Sequence, residues 1–123
     1  NEVINELPAE NISYNKSIEV SKDWGPNLLL PEKFVLYHNY PNPFNPSTKI
    51  AFDIPENTQV KLIVWDIVGK RIRTLVNESV SPGNHEAVWD GKNDYGVKVS
   101  GGVYLYSIET RAFRKTRKML LLK

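Results

Sequence analysis

The sequence predicts an all-β protein, an antiparallel β-sandwich of about seven strands. Apolar and polar residues alternate over short stretches from residue 48 to the end of the chain, as in strands with one buried face. Turn-forming Gly, Pro and Asn residues separate these stretches at short intervals. No window shows the 3.6-residue apolar period over the roughly ten residues that a helix needs.

The first element is a proline-rich segment, residues 40–48, that precedes most of the strands. Each proline fixes φ near about −65° and lacks a backbone donor, so the segment is neither helix nor central strand. The residue before each proline is restricted to extended geometry. We expect Phe44, the aromatic residue within the segment, to close one end of the core. The motif comprises Pro41, Asn42, Pro43, Phe44, Asn45 and Pro46.

The strands follow in chain order after this segment, with one apolar run at 34–37 before it. The further predicted strands are 48–54, 59–66, 71–76, 85–89, 103–110 and 113–122. Gly69 is predicted to adopt φ > 0 in the tight turn at 68–70. Alternation assigns to the core Ile50, Phe52, Ile54, Val60, Leu62, Val64, Ile72, Leu75, Tyr104, Tyr106 and Ile108.

The composition of the chain argues against several classes of function. A chain of 123 residues fits one domain, and 41% hydrophobic with 24% charged residues is typical of a soluble globular protein. A net charge of +2 does not indicate nucleic acid, and no apolar run reaches the roughly 18 residues of a membrane span. The absence of cysteine excludes disulfides and a cysteine nucleophile. We predict neither a nucleic-acid partner nor a membrane span.

The chain divides into two predicted regions, an N-terminal linker or arm at 1–33 and the β-sandwich at 34–123. Alternation at 12–20 is brief, and Trp24 lies in an otherwise polar stretch. Two interpretations stay open: a linker, or an extra strand docked on this domain or on a neighbour. The chain begins with Asn, so we expect a processed product or a fragment of a longer protein.

No catalytic site is predicted, and we expect the protein not to be an enzyme. The serines lack a Gly-x-Ser-x-Gly context, and His38 and His85 are expected to be structural. Asp90, Asn93 and Asp94 offer oxygen ligands for calcium, but the loop lacks the alternating ligands and late glutamate of an EF-hand. Asx-turn hydrogen bonds explain the same residues without an ion. We predict no metal or cofactor, with calcium as the alternative.

Aromatic residues raise the alternative of a sugar-stacking platform. Strands of this fold bury large aromatic residues, so we expect most of them in the core and Trp65 outside it. The set comprises Trp65, Trp89, Tyr95, Tyr104 and Tyr106.

Five motifs, in this order and spacing, resemble the type A C-terminal sorting domain of the type IX (Por) secretion system. They are YPNPFNPST at 40–48, VWDIVGK at 64–70, WDGKN at 89–93, SGGVY at 100–104 and KMLLLK at 118–123. The inner pattern is also similar to the Ig-like domain of flagellar hook-capping proteins. The resemblance covers residues 34–123, leaves 1–30 outside, and implies an Ig-like or fibronectin-like sandwich.

The resemblance implies a sorting signal at the end of a larger exported bacterial protein, without catalytic activity. Its partners would be secretion-machinery proteins and an upstream cargo domain, and its route would lead through the periplasm to the cell surface or medium. The family's glycine-turn motif falls on Gly69 and Lys70. Its terminal recognition segment falls on Lys118, Met119, Leu120, Leu121, Leu122 and Lys123.

Two alternatives to a sorting domain remain from the sequence. The first is a retained surface or filament subunit that self-associates because residues 1–30 complete the sheet of the next copy. The second is an appended carbohydrate-binding or adhesion module.

Overall fold

The computed structural model describes residues 29–123, of which Pro31–Lys123 form one compact unit. Of the linker or arm predicted at 1–33, residues 1–28 lie outside the described residues, and the division at residue 33 stays a prediction. The strands are β1 Val35–Leu36, β2 Thr48–Ile54, β3 Thr58–Asp66, β4 Arg71–Val80, β5 Gly83–Trp89, β6 Gly102–Glu109 and β7 Arg114–Leu121.

Two antiparallel sheets form the sandwich, so the predicted fold class is confirmed. One sheet has the order β1-β2-β5 and the other the order β4-β3-β6-β7. β4 is longer than predicted from its apolar residues, because Thr58 of β3 still pairs with Val80. β1 is shorter than the apolar run at 34–37 and comprises only Val35 and Leu36, although the Tyr37 amide also donates to the Ala51 carbonyl of β2 at 3.0 Å. Residues 29–123 contain no helix that is long and apolar enough to cross a membrane.

The core lies between the sheets and contains the predicted apolar faces of β2, β3 and β6. Ile72 and Leu75 of β4 are only partly buried and pack against its margin. Each fully buried large apolar side chain contributes roughly 1.5–3 kcal/mol relative to exposure. The buried hydrophobic residues are Leu36, Phe44, Ile50, Phe52, Ile54, Val60, Leu62, Val64, Trp89, Tyr104, Tyr106, Ile108, Met119 and Leu121.

The two ends of the sandwich carry different segments. We call one the tail end: it comprises residues 40–47 of the proline segment (these precede β2), the β3–β4 turn (67–70), the β5–β6 loop (90–101) and the last residues (122–123). Register places these together, because Asp66 pairs with Tyr104 and Tyr104 with Met119. The far end carries the turns at 55–57, 81–82 and 110–113. Phe34 reaches the far end and stacks on Phe113 with ring centroids 5.3 Å apart.

Three aromatic rings close the core at the tail end, as expected for Phe44. The centroids of Phe44 and Trp89 lie 5.7 Å apart, and those of Trp89 and Tyr104 lie 5.3 Å apart. The Trp89 indole Nε1 donates to the carbonyl of Lys92 at 2.9 Å, so its polar atom is satisfied. We call Phe44, Trp89 and Tyr104 the aromatic cluster. Its side chains connect the proline segment, β5 and β6 through contacts between neighbouring rings.

Removing the Phe44 ring tests the importance of this cluster for stability. We expect Phe44→Ala to lower the free energy of unfolding by about 3–5 kcal/mol, because a buried ring is lost and a cavity is left. Urea denaturation of the full chain, followed by far-UV circular dichroism, measures this. The control is Tyr95→Ala, an exposed aromatic, for which we expect a change within about 0.5 kcal/mol. A decrease in the free energy of unfolding of less than about 1 kcal/mol for Phe44→Ala contradicts the assignment of Phe44 to the core.

Candidate recognition surface

The proline segment pairs in parallel with the end of β7. The Phe44 amide donates to the Leu120 carbonyl at 3.0 Å, and the Leu122 amide donates to the Phe44 carbonyl at 2.9 Å. The Leu120 amide donates to Asn42 Oδ1 at 3.0 Å. Pro43 has no amide hydrogen, so the Asn42 side chain and the Phe44 backbone provide the pairing groups. We call this contact between residues 42–44 and 120–122 the proline clamp.

Buried polar groups fix the start of the proline segment. Thr48 Oγ1 donates to the Pro41 carbonyl at 2.8 Å. Asn39 Nδ2 donates to Thr48 Oγ1 at 3.0 Å and to the Pro41 carbonyl at 3.2 Å. Tyr40 and Lys49 exchange backbone hydrogen bonds of 2.9 Å in both directions. The segment is therefore anchored to β2 before it reaches β7.

The predicted terminal recognition segment is only partly a surface feature. Met119 and Leu121 are buried in the core, and Leu120 is half-buried. The exposed side chains of the segment are those of Lys118, Leu122 and Lys123. A partner that contacts the folded domain therefore meets two lysines and one leucine of this segment.

The predicted glycine turn, with Gly69 and Lys70, lies at the tail end of the sandwich. Gly69 has φ +88°, as its position in the turn predicts. Asp66 Oδ1 accepts hydrogen bonds from the amides of Val68 at 3.0 Å and Lys70 at 2.9 Å. This role of Asp66 was not predicted from the sequence, although an Asp that opens a tight turn is an Asx-turn signal. The turn holds Ile67 and Val68 exposed at its tip.

The three candidate calcium ligands are spread along the β5–β6 loop, and their oxygens accept hydrogen bonds from backbone amides. Asp90 is also 3.0 Å from the Arg73 guanidinium. For Asp90 and Asn93 this is the predicted Asx-turn arrangement, whereas Asp94 accepts from an amide of β4. Residues 29–123 contain no group of three or more His, Cys, Asp or Glu side chains that could hold a metal. The hydrogen bonds run from Lys92 to Asp90, from Tyr95 and Val97 to Asn93, and from Thr74 to Asp94.

The two histidines lie on opposite sides of β2 and do not form a pair. His38 follows β1, and its Nε2 lies 3.1 Å from Arg117 Nη1. His85, on β5, stacks on Phe52 with centroids 5.5 Å apart. Its Nε2 lies 2.8 Å from the Ser81 carbonyl.

The five aromatic residues considered for sugar stacking do not share one face. Trp89, Tyr104 and Tyr106 are buried in the core. Trp65 is half-buried, and its Nε1 donates to Ser107 Oγ at 2.9 Å. Tyr95 is exposed on the β5–β6 loop. The sugar-stacking alternative therefore retains only Trp65 and Tyr95.

Two tyrosine hydroxyls beside β1 have raised pKa values. The hydrogen bond from Tyr37 to the Asp53 carboxylate, 2.5 Å long, raises the pKa of Tyr37, with smaller contributions from burial and from the Asp53 charge. Burial raises the pKa of Tyr106, whose hydroxyl donates to the Tyr37 carbonyl at 2.7 Å. Both groups therefore favour the neutral form and serve as hydrogen-bond donors.

Close backbone packing fixes the tail end further. A Cβ on Gly101 would lie 2.7 Å from Lys123 Cγ and 3.1 Å from the Leu121 carbonyl oxygen. A Cβ on Gly91 would lie 3.1 Å from the Pro46 carbonyl oxygen. Glycine at these positions permits the proline segment, the β5–β6 loop and the last residues to approach one another.

Comparison with known proteins identifies similar domains. A family model described as the FlgD Ig-like domain matches residues 41–112. Latent dimeric PorU from Porphyromonas gingivalis has a TM-score of 0.58 at 21% identity, over 79% of this chain and 10% of PorU. PorZ, an essential surface component of the type-IX secretion system of the same organism, has a TM-score of 0.52 at 20% identity, over 72% of this chain and 11% of PorZ.

The chain thus spans about a tenth of the length of either solved structure. At these identities the likeness establishes the fold. No curated protein sequence matches the chain.

A matched pair of glycine substitutions tests the close packing at the tail end. Gly91 and Gly96 have similar φ values of +76° and +80°, so Ala at either position carries a backbone cost of about 1–2 kcal/mol. Only the Gly91 Cβ meets neighbouring atoms, since nothing lies within 4 Å at Gly96. We expect Gly91→Ala to lose about 1 kcal/mol or more beyond Gly96→Ala, because of overpacking. Urea denaturation of both variants measures this, and equal losses would show that the contact with Pro46 is unimportant.

Proposed function

The chain belongs to the family of FlgD Ig-like domains, and we propose that it is a non-catalytic C-terminal sorting domain of a larger exported bacterial protein. In this proposal, type IX secretion machinery recognises the domain after it reaches the periplasm. Recognition directs the protein across the outer membrane for attachment to the cell surface. The partners are secretion-machinery proteins and the upstream cargo domain, and the domain carries no catalytic step and no cofactor.

The observation that carries the proposal is the position of the two motifs implicated in recognition. Gly69 and Lys70 lie at the tail end, together with the exposed Lys118, Leu122 and Lys123. The chain before β1 joins the sandwich beside Phe34 at the far end. This arrangement supports a domain whose recognition groups lie at the end opposite the point where the chain enters the sandwich.

The solved structures with this fold support the same class of function. PorZ is a surface component of the type-IX secretion system, and the region with this fold is a small part of PorZ. A small sandwich within a large secretion-related chain is the arrangement that the sorting proposal requires. The five motifs support the proposal separately, because they resemble the motifs of type A sorting domains.

Strand addition at the free part of β7 is a physical route to recognition. The amide and carbonyl of Leu120 point away from β6. Because the backbone groups of successive residues point to opposite sides of a strand, the amides and carbonyls of Arg114, Thr116 and Lys118 also point away from β6. Within the described residues these three have no backbone partner on that side. A receptor strand can therefore pair with β7 before the proline clamp begins.

The same free edge favours strand exchange between copies as a second candidate function. In that case the weakly alternating residues 12–20 of one copy would add to β7 of the next, giving a surface or filament subunit. The two candidates differ in the partner that occupies the edge.

A charge-reversal pair tests the sorting proposal without disturbing the core. Deletion of residues 118–123 would remove Met119 and Leu121 from the core and would confuse recognition with folding. We therefore join a fluorescent reporter to the full chain and replace Lys118 and Lys123 by Glu in a bacterium with type IX secretion. We expect surface export to fall by about tenfold, equivalent to roughly 1.4 kcal/mol of lost recognition, with the reporter retained in the periplasm.

The matched control replaces Lys49 and Lys61, two exposed lysines on β2 and β3, by Glu. It makes the same change in charge, and we expect normal export. Normal export of the Lys118/Lys123 variant would remove these groups from the mechanism. Periplasmic retention of the unmodified fusion, with multimers of the full chain that residues 31–123 do not form, would favour strand exchange.

A further inference from the structure

Exposed apolar side chains are concentrated at the tail end. Within residues 31–123, every exposed large hydrophobic side chain except Tyr37 lies at or next to this end. The far end, by contrast, partly buries its aromatic residues through the stacking of Phe34 on Phe113. The side chains at the tail end are those of Tyr40, Ile67, Val68, Val88, Tyr95, Val97, Val103 and Leu122. An asymmetry of this kind marks an interaction surface.

Apart from Tyr40, the most exposed of these residues occupy two neighbouring protrusions. Ile67 and Val68, 70% and 83% exposed, form the tip of the β3–β4 turn. Tyr95 and Val97 lie on the β5–β6 loop, which the Asp94 amide joins to the Ile72 carbonyl of β4 at 2.9 Å. The Asp66 carboxylate fixes the turn, so its apolar tip is held outward by the fold.

The charges at the tail end complement an anionic surface. Its carboxylates are engaged within the domain: Asp66 accepts two backbone amides, Asp90 pairs with Arg73, and Asp94 lies 3.6 Å from Arg71. Exposed lysines lie at or next to the tail end and form no ion pair within the described residues. These lysines are Lys70, Lys98, Lys118 and Lys123.

We propose that the tail end docks on a lipid bilayer that contains anionic phospholipids. The apolar side chains of the two protrusions insert at the depth of the headgroups, and the surrounding lysines pair with the phosphates. Aliphatic side chains between lysines, with tyrosines whose hydroxyls stay in water, suit the apolar-to-polar gradient of the interface. This activity is independent of the sorting proposal, because it requires no secretion protein.

A lipid surface fits these protrusions better than a protein partner does. A stable protein interface has a contiguous, closely packed apolar centre within roughly 800 Å² per partner. Here the apolar side chains stand on separate protrusions, with the charged Lys70 and Asp94 beside them. A fluid bilayer accommodates such isolated side chains, whereas a protein would need a separate pocket for each.

A cleft beside the last residues can receive one headgroup phosphate. Pro46, Gly91, Leu121, Lys98 and Lys123 line it, together with Asp90, whose carboxylate pairs with Arg73. The two lysines supply cations, and the apolar lining continues toward Leu122. The cleft therefore combines charge and apolar contact on the surface that faces the bilayer.

Vesicle co-sedimentation of the full chain tests the proposal. The probes are vesicles of phosphatidylcholine mixed with phosphatidylglycerol, and vesicles of phosphatidylcholine alone, at low ionic strength. We expect Ile67→Ser with Val68→Ser to weaken partitioning onto the mixed vesicles by roughly tenfold, because the inserted apolar area is lost. Lys70→Gln with Lys98→Gln is expected to weaken it about fivefold for each lysine replaced.

Matched controls use exposed residues that are not part of the tail end. Leu29→Ser with Leu30→Ser removes two exposed aliphatic side chains that precede the compact unit, and Lys33→Gln with Lys61→Gln removes two exposed charges. We expect both controls to partition like the unmodified chain, with all variants retaining its circular dichroism spectrum. Equal losses in the tail-end variants and their controls overturn the proposal. Absence of binding to both kinds of vesicle also overturns it and assigns the apolar end to a protein partner.

Discussion

The contact between Phe44 and the end of β7 is the interaction on which the tail end depends. The ring of Phe44 is buried against Trp89, while its amide and carbonyl bond to residues 120 and 122. One residue therefore closes the core and fixes the last strand. Pro43 and Pro46 have no amide hydrogen and their rings fix φ, so the pairing register has few alternatives. Burial of the ring and ordering of the terminal residues are consequently coupled.

The terminal segment has a buried face and an exposed face. Met119 and Leu121 face the core, whereas Lys118, Leu122 and Lys123 face solvent. A strand with alternating faces presents a surface motif only when its buried face is in place. A partner that contacts the exposed face therefore meets a folded domain. The clamp also covers the outer edge of residues 120–122, which leaves the edge of β7 open only before this point.

The local alternation of apolar and polar residues was sufficient to predict the strands and most of the core. Alternation identified the buried faces of β2, β3 and β6, and Gly69 marked its turn, because these features depend on neighbouring residues alone. The proline clamp could not be predicted, since its partners are 78 residues apart in sequence. The burial of Met119 and Leu121 was missed for the same reason. The extension of β4 past Val76 was also missed, because cross-strand pairing with β3 maintains it where the apolar pattern stops.

Hydrogen exchange of the Phe44 and Leu122 amides, measured by NMR on the full chain, tests most directly whether the proline clamp is coupled to the core. Both amides are donors in the proline clamp. If the clamp is coupled to the core, they exchange only through global unfolding, as slowly as the amides of Val64 and Tyr106 in the central strands. Exchange at the rate of exposed loop amides, with β3 and β6 still protected, would show that the clamp opens independently of the core and would contradict the account.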